Sequence, residues 1–482
     1  MKFQARYLNL LALSFFSTNL MAQSSYEQSL EIINKAPSSI VSALQSAPKT
    51  YDFKSSLDQK DSVTYSGQSF RQVLIEELKS FMVEQKRGNY PGTAKDVEEA
   101  MMSFIDFNPK NSSQAPGAIN GSSFFTMKAY NLNKSEATIS EGFLFDDILN
   151  PGKKLLDKLA GNDNPLRRGK IYGWNNSVTT PQELLFSFVR EFSLLASEGE
   201  TFVVPNGNLE PQRVDLADTT IEGRNLTELT QKFLQGAVSY SQAAEDYLST
   251  KLGAKKGLNA DNTAFEPGSN YTILEHFFDE AYGYFGGARD IALYSDAQLS
   301  GGLSRDTNQD GTISLLFEKN HGLAKNFARV DLASKGNLDL STEVSEAFIK
   351  GRHLITTKPE GYKTYVVAHA QVALGAWEKT IGAVTAIYIN NMLNMYSAYG
   401  TPNYNFKMLA KFWSEMKGFS LGLQFNPEAI MSDRDFDKFH SLVSDRPALP
   451  HGTLEQVEKY KQDLKEAKDL LIKVYGFKPG TF

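Results

Sequence analysis

The run GYKTYVVAHAQVALGAWEKTIGAVTAIYINNMLNMYSAYG, residues 361–400, reads as one uninterrupted helix. A helix of that length is several times the globular average, and it is buried only by laying other helices along it. The run therefore points to a helical bundle rather than a sheet-based fold. The rest of the chain offers partners at helical spacing. SGQSFRQVLIEELKSFMVEQKR places Phe70, Val73, Leu74, Leu78 and Phe81 on one face, with Ser66 at the start. TAKDVEEAMMSFIDF follows, opened by Thr93 and stopped by NPKN. Further on come TPQELLFSFVREFSLLAS, NLTELTQKFLQGAVSYSQAAEDYLSTKL, SEAFIKGRHLIT, FKMLAKFWSEMKGFSLGL and TLEQVEKYKQDLKEAKDLLIKVYG. Alternating strand patterns are nearly absent, ETFVVPNG being the best. The expected architecture is a large all-α bundle with a long irregular insertion around residues 108–180, rich in Gly, Asn, Ser and Pro.

The first 22 residues have the build of a secretory signal: a basic start in MKFQAR, an apolar run, and Ala22 as a small residue before a cut ahead of Gln23. The apolar run is short for a transmembrane span, and no later segment reaches the length required. The expected product is exported, periplasmic or at the cell surface. Residues 23–50 form an N-terminal extension and 51–482 a single helical domain. Cysteine is absent, which rules out disulfides, thiol metal sites and a lipidated cysteine. The formal net charge of −6 becomes two units more negative once Lys2 and Arg6 are removed with the signal. That balance argues against nucleic acid as a partner and is compatible with binding cations.

Two stretches have the residue types for metal chemistry. In DTNQDGTISLLFE, Asp306, Asn308 and Asp310 occupy positions one, three and five of an EF-hand-like calcium loop. Gly311 supplies the turn, Thr312 a backbone carbonyl and Ile313 the apolar anchor. The closing acid is expected at position twelve, where Phe317 stands, with Glu318 one step late. The alternative is a polar turn that caps the next element.

The second stretch is EHFFDEAYGYFGGARD, residues 275–290. A helical wheel puts Phe277, Phe278, Ala281, Tyr284 and Phe285 on one stripe, with Glu275, His276, Asp279 and Glu280 opposite. His276 with Asp279 and Glu280 at i+3 and i+4 can grip one transition metal. The same wheel describes an amphipathic helix whose acids face water. His353 and His369 are further ligands by residue type alone. His369 and Glu378 fall on opposite sides of the long helix, Trp377 reads as a core anchor, and Lys411 with Glu415 as a surface pair. GFSLG, residues 418–422, matches the nucleophile-elbow pattern but lies in a helical run, the wrong context for that motif.

Taken in order, VTYSGQSFRQVLIEEL, HFFDEAYGYFG, DTNQDGTISLLFE, AFIKGR, WEKTIGAVTAIYIN and WSEMKGFSLGLQFNP resemble a bacterial exported family, domain-of-unknown-function family 4856. The resemblance runs from about Tyr51 onward. That family is similar, more distantly, to the imelysins, helical-bundle proteins associated with iron acquisition that carry a His-x-x-Glu motif. The resemblance implies His276 in the histidine place and Asp279 in the acid place. Here the acid is shorter, the preceding glycine is not at the matching position, and Glu280 is the acid that compensates. Three functions follow. One is a non-enzymatic, calcium-binding protein of iron or other metal acquisition, with metal ions and outer-membrane or periplasmic uptake proteins as partners. Another is a metallopeptidase using His276, Asp279 and Glu280, whose third ligand is unassigned. The last is a calcium-stabilised interaction scaffold.

Overall fold

The computed structural model describes residues 23–85, 92–106, 129–132, 135–138, 154–199, 201–215, 217–253, 255–311 and 313–482. The expected signal, residues 1–22, and most of the 108–180 insertion lie outside the described residues. The all-α expectation holds: helices account for nearly all regular structure, and the only sheets among the described residues are two antiparallel hairpins. One joins Ala129–Leu132 to Ser135–Thr138. The other pairs Phe202–Asn206, within the predicted strand, with Leu209–Val214.

The long run forms a single helix, Tyr362–Ala398. It is buried around most of its circumference, as a helix apolar on every side must be. Helices that pack along it include Ser25–Asn34, Leu340–Thr357, Phe406–Leu421 and Leu454–Tyr475. Trp377 sits at its centre, fully buried, as a core anchor should. The predicted stripe Phe70, Val73, Leu74, Leu78 and Phe81 of the Ser66–Gln85 helix is also fully inside. Two helices, one of them opened by Thr93 as expected, begin with a complete capping box. Thr93 and Thr180 each accept from the backbone N–H three residues on, and Asp96 and Glu183 reciprocate. One continuous hydrophobic core extends from Tyr26 to Phe477, so the N-terminal extension is packed into the body rather than trailing from it.

The run from Leu226 is not one α-helix. It is α-helical over Leu226–Leu234 and then π-helical over Gln235–Tyr240 and Gln242–Tyr247. No helix among the described residues is long and apolar enough to cross a membrane.

Candidate functional site

The Ile273–Phe285 helix begins with a complete capping box. The Thr272 hydroxyl accepts from the Glu275 N–H at 3.3 Å, and the Thr272 N–H donates to Glu275 Oε2 at 2.9 Å. The helix ends at Gly286, in the left-handed conformation at φ +80° that glycine adopts without strain. Between these ends the helix is buried almost all round. Only Ile273, His276, Phe277 and Glu280 are partly exposed, and they form one stripe at i, i+3, i+4 and i+7.

That stripe differs from the expected wet face. Glu275 and Asp279 are buried, Asp279 completely. The reason is Arg352, a fully buried guanidinium from the Leu340–Thr357 helix. Its Nε donates to Asp279 Oδ1 at 2.8 Å and its Nη1 to Glu275 Oε1 at 2.8 Å. Its Nη2 donates to Ser62 Oγ at 3.1 Å, and Thr356 Oγ1 accepts from Nη1. Tyr51 OH adds a donor to Asp279 Oδ1 at 2.9 Å and stacks face to face on Tyr282, centroids 3.7 Å apart. Phe53 covers the guanidinium at 5.0 Å. A charge in such surroundings is tolerated only when paired and hydrogen-bonded, and this network pairs one cation with two acids. Burial pushes the Asp279 carboxyl up, with Arg352 and Tyr51 opposing. For Glu275 burial acts the same way, but Arg352 and the Thr272 N–H outweigh it and bring the carboxyl below its ordinary value.

The structure therefore separates the three predicted helix-site residues. His276 Nε2 stands 3.8 Å from Glu280 Oε1, and the ring stacks on Tyr271 at 4.8 Å. Glu280 also accepts from Gln68 Nε2 at 2.7 Å. Asp279 turns inward to Arg352. Two atoms stay buried without a hydrogen-bond partner among the described residues: His276 Nδ1 and Asp279 Oδ2. Among the described residues, no group of three or more His, Asp or Glu side chains gathers as a metal ion would need.

The 306–318 loop is a tight, self-bonded turn. Asp306 accepts from the Asp310 N–H through Oδ1 at 3.2 Å and from the Gly311 N–H through Oδ2 at 2.8 Å. Asn308 Oδ1 accepts from the Asp310 N–H at 3.1 Å, and Asn308 Nδ2 donates to Asp310 Oδ2 at 2.9 Å. Gly311, at φ +86°, makes the sharp turn. Glu318 folds back over the start of the loop and is completely buried. Its Oε1 accepts from the N–H and hydroxyl of Thr307, each at 2.7 Å, and its Oε2 from the Ser314 N–H at 2.8 Å. Glu318, one step after the position where a closing acid is expected, thus reaches back to the start of the loop. Thr312 lies outside the described residues.

The remaining histidines and acids are dispersed. His353 Nε2 faces the Ala43 carbonyl at 3.0 Å. His369 is buried, and burial holds its pKa down to about 3. Lys411 and Glu415 are not the expected surface pair. Glu415 is buried beside Lys232 at 3.8 Å, while Lys411 lies 3.9 Å from Glu228. The Phe406–Leu421 helix packs against the Leu226–Leu234 helix, which supplies Lys232 and Glu228, so the flank bearing Glu415 is interior. GFSLG continues the Phe406–Leu421 helix into a 3₁₀ turn, Gly422–Gln424, without the strand a nucleophile elbow needs. Glu378 was missed as a structural centre. Its carboxylate accepts from the N–H groups of Ile430 at 3.0 Å and Met431 at 2.8 Å, with Tyr475 OH at 3.3 Å and Tyr240 OH at 3.4 Å. The Thr272-x-x-Glu275 pattern in the sequence signals the cap; nothing in local spacing signals Arg352 or the turn that reaches Glu378.

Neither a curated protein nor a solved structure matches the chain. A family model described as a domain of unknown function, DUF4856, matches residues 196–439. The matched span takes in the capped Ile273–Phe285 helix, the 306–318 loop, Arg352 and the whole long helix. It is just over half of the sequence, and the chain belongs to the DUF4856 family.

Proposed function

We propose that the protein is an exported, non-enzymatic helical protein that binds calcium in the 306–318 loop and uses the ion to stiffen its fold. The observation that carries this reading is the return of Glu318 onto Thr307, which sets a buried carboxylate beside a turn already bearing Asp306, Asn308 and Asp310. Hard cations favour such a set of hard oxygens on a sharply curved backbone. Asp306, Asn308, Asp310, Glu318 and the Thr312 carbonyl would be the ligands. Export rests on the signal-like start.

Association with iron or another transition metal is a second reading. It is favoured by the unpartnered His276 Nδ1 and Asp279 Oδ2 and by the proximity of His276 to Glu280. A metallopeptidase draws on less, because Asp279 is engaged by Arg352 and hydrolysis needs further ligands with an open position.

Both readings are tested by purifying the chain without chelator and measuring bound metals by elemental mass spectrometry. Calcium that disappears in Asp306→Ala supports the loop site. A transition metal lost in His276→Ala supports the second reading. Calcium absent from the wild type, even after incubation with millimolar calcium, would sink the first.

A further inference from the structure

A separate feature lies between the Asp433–Val443 and Leu454–Tyr475 helices, where residues 444–452 wall a cavity of about 410 Å³. That volume is in the range of small-molecule sites, and the lining has their usual character. Pro447, Ala448, Leu449 and Tyr460 give it an apolar wall, and Arg446, His451 and Glu222 give it polar groups.

The loop is held in a shape it would not choose alone. Ser444 has φ +60° and ψ −172°, a backbone region open in practice only to glycine. What holds it is Lys417, whose side chain has no exposure. Its Nζ donates to the Ser444 carbonyl at 2.6 Å, lies 3.2 Å from Asp445 Oδ1 and 3.2 Å from His440 Nδ1, and so ties the loop from behind. Burying an ammonium group is costly: desolvation brings the Lys417 pKa down to about 8, Asp445 opposing. Tyr396 OH grips the Ala448 carbonyl, and the Leu449 carbonyl accepts from the Gly452 N–H at 2.8 Å. From the other side the Gly223 turn packs closely on Pro447, where a methyl group on Gly223 would lie 2.9 Å from the proline ring.

Inside this braced frame one charge stands out. Arg446 is exposed and makes no hydrogen bond or ion pair with any described residue. Glu222, on the same lining, lies 4.0 Å from Arg224, whose guanidinium donates to Glu191 at 2.6 Å. Arg446 thus sets a guanidinium without a hydrogen bond or ion pair beside an apolar wall, which suits a ligand with one anionic head and an apolar body.

We propose that this cavity binds a small carboxylate with an apolar body, its head on Arg446 and its body against Pro447, Ala448, Leu449 and Tyr460. The frame held by Lys417 and Tyr396 keeps the site preformed, so little ordering is needed on binding.

The test is calorimetric titration of the full chain with 4-phenylbutyrate, 4-phenylbutanol and 4-phenylbutylamine, which share one body and differ in the head. The acid is expected to bind at least about tenfold more tightly than the other two, the size of a charge-assisted hydrogen bond. Arg446→Gln, at an exposed position, is expected to erase that preference with the melting temperature unchanged. Ala448→Phe, which fills the cavity, is expected to abolish binding of all three. Equal binding of the three compounds, no saturable binding of the acid up to millimolar concentration, or unaltered binding by the Ala448→Phe protein would each overturn the proposal.

Discussion

Arg352 decides how the most conspicuous stretch of this sequence is used. One guanidinium inside the protein draws two carboxylates of the neighbouring helix away from water, and each depends on it for charge compensation. Arg352→Met leaves Glu275 and Asp279 buried without a cation. It is expected to cost about 3–5 kcal/mol in urea unfolding at pH 7. The loss should shrink toward pH 4, where the stranded acids take up protons. A cost below about 1 kcal/mol at pH 7 would mean that the network is not a structural centre. Glu378 makes a prediction of opposite kind. Burial holds its carboxyl up to about 7 against a usual 4.5, with the Met431 and Ile430 N–H groups opposing. The folded state therefore keeps a proton that the unfolded chain has already released. The resulting stabilisation is fully present below pH 4.5 and is lost as pH rises toward 7. In Glu378→Gln, the decline of unfolding free energy between pH 5 and 7 should be shallower than in the wild type. Parallel curves would contradict the assignment.

At the scale of elements, most of the helices were legible because their apolar residues recur at helical spacing and their starts carry capping residues. Thr93 sits at the N-cap expected of it, and Thr180, Thr272 and Thr453 hold the same position on their helices. The Ile273–Phe285 wheel found the buried Phe278, Tyr284 and Phe285 but misplaced Phe277, which is partly exposed, and Glu275 and Asp279, which are buried. A wheel assumes one wet side, and a helix enclosed by Tyr51, Gln72 and Arg352 has only a narrow one. Arg352 lies 73 residues from Asp279 in sequence, so no local pattern ties them. Lys411 and Glu415 misled for the same reason: i,i+4 spacing is satisfied on a surface or against a neighbouring helix alike. The passage from α to π in the Leu226–Tyr247 run was also hidden, since apolar periodicity does not report which carbonyl each N–H reaches. This run makes its own prediction. A methyl group on Gly236 would lie 2.6 Å from the Gly422 Cα, where the π segment meets the end of the Phe406–Leu421 helix. Gly236→Ala should destabilise by about 1–3 kcal/mol, as overpacking does, and lower the melting temperature. A melting temperature equal to wild type would show that the two backbones are not in contact.

For the molecule as a whole, the core is tied together by groups far apart in the chain. Tyr26 near one end donates to Glu343 at 2.5 Å, and Tyr475 near the other reaches Glu378. The 306–318 loop is tied over a shorter span: Glu318 is buried and accepts from Thr307, while Asp306 and Asp310 stay near water. An ion bound there would stabilise the native state and not the unfolded chain, so stability should follow calcium concentration. The most direct measurement is the melting temperature of the full chain titrated with calcium after treatment with a chelator, alongside Asp306→Ala. Expected is a saturable rise in the wild type, by about 2.7 kcal/mol of stability at a hundredfold excess over Kd, and none in the variant. A wild-type melting temperature indifferent to calcium, or a variant that rises equally, would contradict a calcium-stabilised scaffold.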